Sequence, residues 1–310
     1  MKKMTWHAKD LIGLENLTRE NIENILETAD SFKEISSRAV KKVPALRGKT
    51  IVNLFFEPST RTKTSFELAA KRLSADVLSF EVATSSISKG ETIVDTAQNI
   101  EAMKVDCFVV RHSVSGAPEL ISRNVSSAVI NAGDGCHEHP TQALLDLFTV
   151  KEALGRIEGI KIAIIGDILH SRVARSNIWG FSKLGAKVYA CGPPTIVPAQ
   201  LDRMGAVITY DIKEALQDAD VVYILRLQKE RQKENFLSSL KEYSMYYGID
   251  GIKYGMIKKG AVIMHPGPMN RGVEIKSEIA EKENALILDQ VTNGIAVRMS
   301  VLYLTTGSIK

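Results

Sequence analysis

The sequence predicts an α/β protein of two domains, each a mainly parallel sheet flanked by helices. Three observations lead there. The chain is 310 residues long, more than a single core usually organises and enough for two domains of roughly 150 residues. Apolar residues make up 45% and charged residues 25%, the balance of a globular chain and not of a disordered one. Short β-rich runs alternate with amphipathic stretches, as in sheets whose strands are joined by crossover helices.

In chain order, strands are expected at Thr50–Phe56, Val77–Glu81, Cys107–Arg111 and Ala128–Asn131. The helices among and after them are expected at Thr64–Leu73, Ile93–Met103 and Thr141–Leu154. The second half repeats the alternation. Strands are expected at Lys161–Gly166, Lys187–Cys191, Val207–Tyr210, Val221–Leu225, Ala261–Met264 and Leu286–Asp289, with helices at Ser171–Leu184 and Lys213–Gln217. The helix Thr141–Leu154 runs into Gly155-Arg156-Ile157-Glu158-Gly159 before a new strand, which suits a domain boundary. Gly294–Thr306 reads as a helix with a long apolar face, expected to pack back on the first domain and make it discontinuous.

Composition narrows the function. The longest apolar runs, such as Ile162–Ile165 and Val221–Leu225, are strand-sized and far below the ~20 residues that span a bilayer. The start, Met1-Lys2-Lys3-Met4-Thr5-Trp6-His7-Ala8-Lys9-Asp10, has no apolar core of a secretory signal. Cys107, Cys136 and Cys191 are odd in number and show no C-x-x-C spacing. A cytoplasmic chain with free thiols is therefore expected. The net charge of +4 and pI near 8.8 come from basic residues spread among acids, with no basic block or aromatic-interleaved stripe. Nucleic acid is thus not an expected partner, and an anionic small molecule explains the excess as well.

The strongest local signal is Phe55-Phe56-Glu57-Pro58-Ser59-Thr60-Arg61-Thr62-Lys63-Thr64-Ser65-Phe66-Glu67. A buried strand ends, hydroxyl residues and two cations follow, and a helix begins. The first turn of a helix offers unpaired N–H groups and the positive end of the dipole, so it favours phosphate. Arg61 adds a fork that backbone groups cannot supply. The alternative is an ordinary capped helix with surface cations. Nucleotide motifs do not account for the segment. The chain has no G-x-x-x-x-G-K-[ST]. Gly133-Asp134-Gly135 and Gly166-Asp167-Ile168 each lack a full dinucleotide fingerprint.

The second cluster is His137-Glu138-His139-Pro140-Thr141-Gln142, between a strand end and a helix start. Ligands collect there in open α/β sheets. No third ligand stands at recognisable spacing, so no metal is expected. An imidazole donating to a carbonyl oxygen is the sharper reading, against a helix-start histidine without chemistry. Arg111, Arg226 and Gln228 end strands, and Arg172 stands at a strand-to-helix turn. Each strand-ending arginine alone is slightly more often a surface charge than a ligand. Lys89 lies in the polar loop Ser85-Ser86-Ile87-Ser88-Lys89-Gly90-Glu91. His265-Pro266-Gly267-Pro268 predicts a rigid turn, with a cis peptide admissible.

Together these segments resemble the catalytic chains of the aspartate carbamoyltransferase family, within the aspartate/ornithine carbamoyltransferase fold. The resemblance runs from Leu11-Ile12-Gly13-Leu14-Glu15-Asn16-Leu17 to the terminal helix. Its motifs arrive in the family's order: Ser59-Thr60-Arg61-Thr62, Lys89-Gly90-Glu91-Thr92, Val110-Arg111-His112, His139-Pro140-Thr141-Gln142, Arg226-Leu227-Gln228-Lys229-Glu230-Arg231 and His265-Pro266-Gly267-Pro268.

The resemblance implies transfer of the carbamoyl group of carbamoyl phosphate to L-aspartate, an early step of pyrimidine biosynthesis, with no cofactor or metal. It implies a carbamoyl phosphate domain over 1–138 completed by 291–310, and an aspartate domain over 139–290. By that likeness Ser59, Thr60, Arg61, Thr62 and Arg111 hold the phosphate, while Thr62, Arg111 and His139 polarise the carbonyl. Gln142 and the carbonyls of Gly267 and Pro268 accept from the carbamoyl amino group, and Arg172, Arg226 and Gln228 take the aspartate carboxylates. Lys89, with Ser85 in its loop, reaches in from an adjacent subunit of a homotrimer, to which regulatory or dihydroorotase chains can be added.

The alternative is an ornithine or other amine carbamoyltransferase. That family carries an Asp, a Ser-Met-Gly segment and a His-Cys-Leu-Pro turn where this chain has Arg226-Leu227-Gln228 and His265-Pro266-Gly267-Pro268. A second carboxylate on the acceptor needs a cation, and Arg226 provides it. Pro58, where some relatives have Ala, stiffens the loop without touching the chemistry.

Overall fold

In the computed structural model, which describes residues 6, 8–81, 90–228 and 236–307, the alternation resolves into two parallel sheets, each in its own unit. The first unit comprises Met1–Phe148 with Thr292–Lys310, and the second Thr149–Val291.

The first unit opens with α1 (Arg19–Ser37) and continues through β1 (Thr50–Phe55), α2 (Thr60–Arg72), β2 (Asp76–Glu81), α3 (Ile93–Glu101), β3 (Cys107–His112), α4 (Ala117–Ser122), β4 (Ala128–Asp134) and the first part of α5 (Pro140–Leu154), which crosses into the second unit at Thr149. The sheet order is β2-β1-β3-β4, and every pairing is parallel. Val52 and Leu54 share one face with Phe108 and Val110 across the ladder, and α3 covers them through Ala97 and Ile100. Removing one such side chain, as in Leu54→Ala, costs about 2–5 kcal/mol. The second unit runs through β5 (Lys161–Ile165), α6 (Arg172–Lys183), β6 (Lys187–Cys191), β7 (Ala206–Thr209), α7 (Ile212–Leu216), β8 (Val221–Ile224), α8 (Leu240–Tyr247), α9 (Gly251–Tyr254), β9 (Val262–Met264), α10 (Ser277–Ala280) and the start of α11 (Ile287–Gly307). Its order is β7-β6-β5-β8-β9, again all parallel. Ala163, Ile165, Val222, Ile224 and Ile263 form its core.

In each sheet the chain winds outward from one strand in both directions, so the order reverses beside it: between β1 and β3, and between β5 and β8. Crevices at such reversals, beyond the carboxyl ends of the strands, are where open α/β sheets bind ligands.

Three differences from the sequence reading have local causes. Leu286–Asp289 is not a strand. Leu286 closes a turn, Ile287 begins α11, and the nearest sheet contact is a single bridge between Ile263 and Ala285. A short apolar run has no period of its own to separate strand from helix. Helix α2 starts at Thr60, four residues before the expected Thr64, because the Ser/Thr-rich stretch has low intrinsic helix preference yet suits a first turn. Helix α1 went unanticipated, although Thr18 and Asn21 cap it reciprocally. From Thr292 onward α11 belongs to the first unit, where Ser300 Oγ donates to the Ile25 carbonyl at 2.8 Å and Tyr303 meets Phe32 edge-on at 5.7 Å. No helix among the described residues is long and apolar enough to cross a membrane.

Candidate active site

In the first unit the sequence-predicted residues gather at the carboxyl ends of three adjacent strands. After β1 the Phe56 N–H still pairs with the Arg111 carbonyl at 2.9 Å. Glu57 and Pro58 then break the ladder and α2 begins. Ser59 occupies the N-cap position, yet its side chain makes no capping bond. Thr60 and Arg61 are exposed, and Thr62 turns inward and is buried. No acidic residue stands in this first turn, so nothing there cancels the dipole's positive end.

Arg111, near the end of β3, is largely buried. Its Nη2 donates to Glu57 Oε1 at 2.8 Å and its Nη1 to the Ala132 carbonyl at 3.2 Å. Glu57 carries no role in the sequence reading, but it fixes where that guanidinium lies.

His139 immediately precedes α5 and is 5% exposed. The turn that delivers it is organised by Asp134, which is fully buried. Its carboxylate accepts from Gly116 N at 2.7 Å, Asn131 Nδ2 at 2.8 Å and Glu138 N at 3.1 Å, and faces His137 Nδ1 at 3.1 Å. Burial opposes the charge on Asp134, but the bonds from His137, Gly116 and Asn131 outweigh it and hold the pKa below the ordinary carboxylate value. The same contact raises the pKa of His137 against its own partial burial. The two histidines of the cluster thus divide: His137 braces the turn and His139 stands at the helix start. Glu138 is structural too, accepting from Leu14 N at 2.8 Å and Glu15 N at 3.0 Å. Glu15, His137 and Glu138 bring donor atoms within 4.8 Å of one another. That third donor is one sequence spacing could not reveal. The backbone N–H groups and Asp134 already account for the placing of Glu138 and His137.

Gln142, in the first turn of α5, donates from Nε2 to Asp146 Oδ1 at 3.0 Å. Asp146 and the buried Arg298 were missed by sequence reasoning. Neither stands in a strand-end motif.

The second unit repeats the placement with other side chains. Gly166, after β5, has φ +129°, and a Cβ there would lie 2.9 Å from Tyr243 Oη, so only glycine fits. Asp167, fully buried, pairs with His170 Nδ1 at 2.8 Å and accepts Gln228 N at 3.3 Å. One carboxylate therefore ties the turn after β5 to the segment after β8. Arg172 is buried at the start of α6, whose N-cap Ser171 accepts from Ala174 N at 3.1 Å. Arg226 and Gln228 are half-buried just beyond β8. After β9 the Gly267–Pro268 peptide is cis and Gly267 has φ +57°. His265 Nδ1 accepts Gly267 N at 2.8 Å, and its Nε2 faces Glu274 at 3.3 Å. These contacts make His265 a brace for the turn. Lys89 and Ser85, with Lys229-Glu230-Arg231, lie outside the described residues.

Residues 9–152 match the family model described as aspartate/ornithine carbamoyltransferase, carbamoyl-P binding domain, and residues 158–305 match that family's Asp/Orn binding domain. The chain is 56% identical over 301 residues to an aspartate carbamoyltransferase catalytic subunit of Syntrophobacter fumaroxidans, covering 97% of this chain and 99% of that one. Among solved structures, aspartate transcarbamoylase from Trypanosoma cruzi in complex with carbamoyl phosphate and aspartate superposes with a TM-score of 0.87 at 31% identity, covering 96% of this chain and 97% of that one. Ornithine carbamoyltransferase from Pyrococcus furiosus gives 0.90 at 29% identity, covering 100% of both. The backbone is thus shared by enzymes named for two different acceptors, and only side chains can choose between them.

Proposed function

The chain belongs to the aspartate/ornithine carbamoyltransferase family, and from that premise we propose how its residues divide the work. It is a transferase that moves the carbamoyl group of carbamoyl phosphate to the α-amino group of L-aspartate, releasing N-carbamoyl-L-aspartate and phosphate, a step of pyrimidine biosynthesis. Ornithine is not the favoured acceptor.

Carbamoyl phosphate is a dianion with an electrophilic carbonyl. Ser59, Thr60, Arg61 and Thr62 at the start of α2, with Arg111, hold its phosphate. Thr62, Arg111 and His139 face the carbonyl oxygen, which becomes negative as the amine attacks. Each preorganised donor of this kind contributes about 3–4 kcal/mol in comparable acyl transfers, and holding the reactants in register supplies much of the remaining acceleration. Gln142 and the Gly267 and Pro268 carbonyl oxygens accept from the carbamoyl amino group. Arg172, Arg226 and Gln228 bind the aspartate carboxylates. The departing phosphate takes the amine proton, since no side chain in the set is an evident base. Lys89, with Ser85, completes the site from a neighbouring subunit of a cytoplasmic homotrimer.

The observation that carries this reading is the Ser59 end of α2, an uncapped helix start beside the Glu57-anchored Arg111. Arg226, just beyond β8, carries the choice of acceptor. The test is an assay of the purified protein with carbamoyl phosphate and either amino acid, in metal-chelated buffer. Turnover with aspartate is expected, and equal or faster turnover with ornithine would reject the acceptor assignment. Sedimentation of the native particle tests the trimer.

A further inference from the structure

One turn behind Gln142 lies a charge for which the transfer itself has no use. Asp146 is fully buried and, four residues on, shares a helix face with Gln142. Its Oδ1 is 3.0 Å from Gln142 Nε2. A carboxylate only accepts hydrogen bonds. The NH2 of the Gln142 amide must therefore face Asp146, and the amide oxygen points from the other corner of the planar group. A buried carboxylate without a partner is costly. Here the opposite charge is supplied by Arg298 of α11, which is 5% exposed and donates from Nη1 to Ser65 Oγ at 2.9 Å and to the Gly294 carbonyl at 3.0 Å. Its guanidinium lies 5.3 Å from the Phe66 ring centre. Burial pulls the pKa of Arg298 down to about 10, while the charge of Asp146 supports it against the nearby Arg61. At neutral pH it remains a cation.

We propose that Asp146, hydrogen-bonded to Gln142 Nε2, is a positioning residue that fixes the rotation of the Gln142 amide, so that its oxygen and not its NH2 meets the amino group of carbamoyl phosphate. The arrangement lets the enzyme distinguish carbamoyl phosphate from an acyl phosphate of the same shape that has no amino group to donate. A glutamine amide is nearly symmetric in shape. Turned by half a rotation, it would set one NH2 against another and lose a bond only the carbamoyl substrate can make. This deepens the assignment of Gln142 made above and rests on it.

The test measures binding of carbamoyl phosphate, acetyl phosphate and inorganic phosphate by calorimetry on the full-length enzyme. Acetyl phosphate carries a methyl where the carbamoyl group carries NH2. In Asp146→Asn, whose side chain meets either end of the Gln142 amide equally well, half of the amides face the wrong way, and the preference for carbamoyl over acetyl phosphate should fall about twofold. Binding of acetyl phosphate and inorganic phosphate should stay as in the parent. The double variant Asp146→Leu/Arg298→Met removes both buried charges at similar volume, so a stranded arginine cannot unfold it. It should show the same selective loss. An unchanged preference in both variants overturns the proposal, as does an equal fall for all three ligands, the mark of a purely structural residue. Gln142→Leu separates the two levels. If it abolishes the preference while the Asp146 variants do not, the positioning role fails and the Gln142 assignment stands. If it leaves the preference intact, the assignment fails and the proposal with it.

Discussion

Helix α2 follows the first strand of one sheet and α6 the first strand of the other, and a serine stands at the start of each. Ser171 uses its hydroxyl on its own helix, accepting from Ala174 N at 3.1 Å. Ser59 makes no such bond. The α6 end is closed by its own side chain, and what it presents is the buried Arg172. The α2 end stays open, with exposed Thr60 and Arg61 in its first turn. A phosphate dianion, with its several acceptor oxygens, suits the open end, where hydroxyls and backbone N–H groups converge. A single carboxylate is matched by the fork of one arginine. The same strand-turn-helix unit thus presents an open helix end or a closed one with a buried arginine, according to where one hydroxyl points.

The largest test of this contrast removes the charge beside the open end. Arg111→Ala should lower kcat by about 10²–10³-fold with the circular dichroism spectrum preserved. Arg226→Leu should raise KM for aspartate while leaving carbamoyl phosphate binding as it was. A near-normal rate in Arg111→Ala would remove the first unit's claim to the reacting carbonyl.

A smaller and more direct test exchanges the serines' fates. Ser171→Ala should lose about 1 kcal/mol of stability, the usual worth of a helix cap, measured by urea denaturation. Ser59→Ala should lose little stability and bind inorganic phosphate more weakly. The opposite pattern would mean that the two ends have been assigned the wrong way round.

The smallest effect concerns the paired turns Asp134–His137 and Asp167–His170, each an Asp with a His three residues on. His137 has its pKa raised from 6.5 by Asp134. Its contribution is therefore complete below the unfolded value and fades as pH rises through the folded one. Asp134 has its pKa lowered from 3.8, so its share is complete above that value and fades as pH falls through the folded one. The pair works best between about 3.8 and 6.5. His137→Asn should accordingly be less stable than the parent at pH 6, with the gap narrowing toward pH 8 in unfolding titrations. A gap that widens with rising pH would mean that His137 is not held by Asp134.

Much of this was legible in the chain. Strand β6 falls where the residues place it, and β1, β3 and β5 lie within a residue of their expected ends, because an apolar run bounded by polar turns has few other conformations. The hydroxyls, cations and histidines just after the strands are legible in the chain as candidates, but which of them brace a turn, as His137 and His265 do, is not. The short run at Leu286–Asp289 misled for the opposite reason: its few apolar residues begin a helix, and no period separates the two states over such a length.

Local propensity and spacing along the chain settle the succession of strands and helices and the kinds of side chain that follow each strand. Tertiary structure alone decided which hydroxyl stays unengaged, which carboxylate anchors Arg111 and which charge supports Asp146. Glu57 and Arg111 are 54 residues apart, and Ser65 and Arg298 are 233 apart. The choice of partner at such separations is made by packing in three dimensions, and no period along the chain records it.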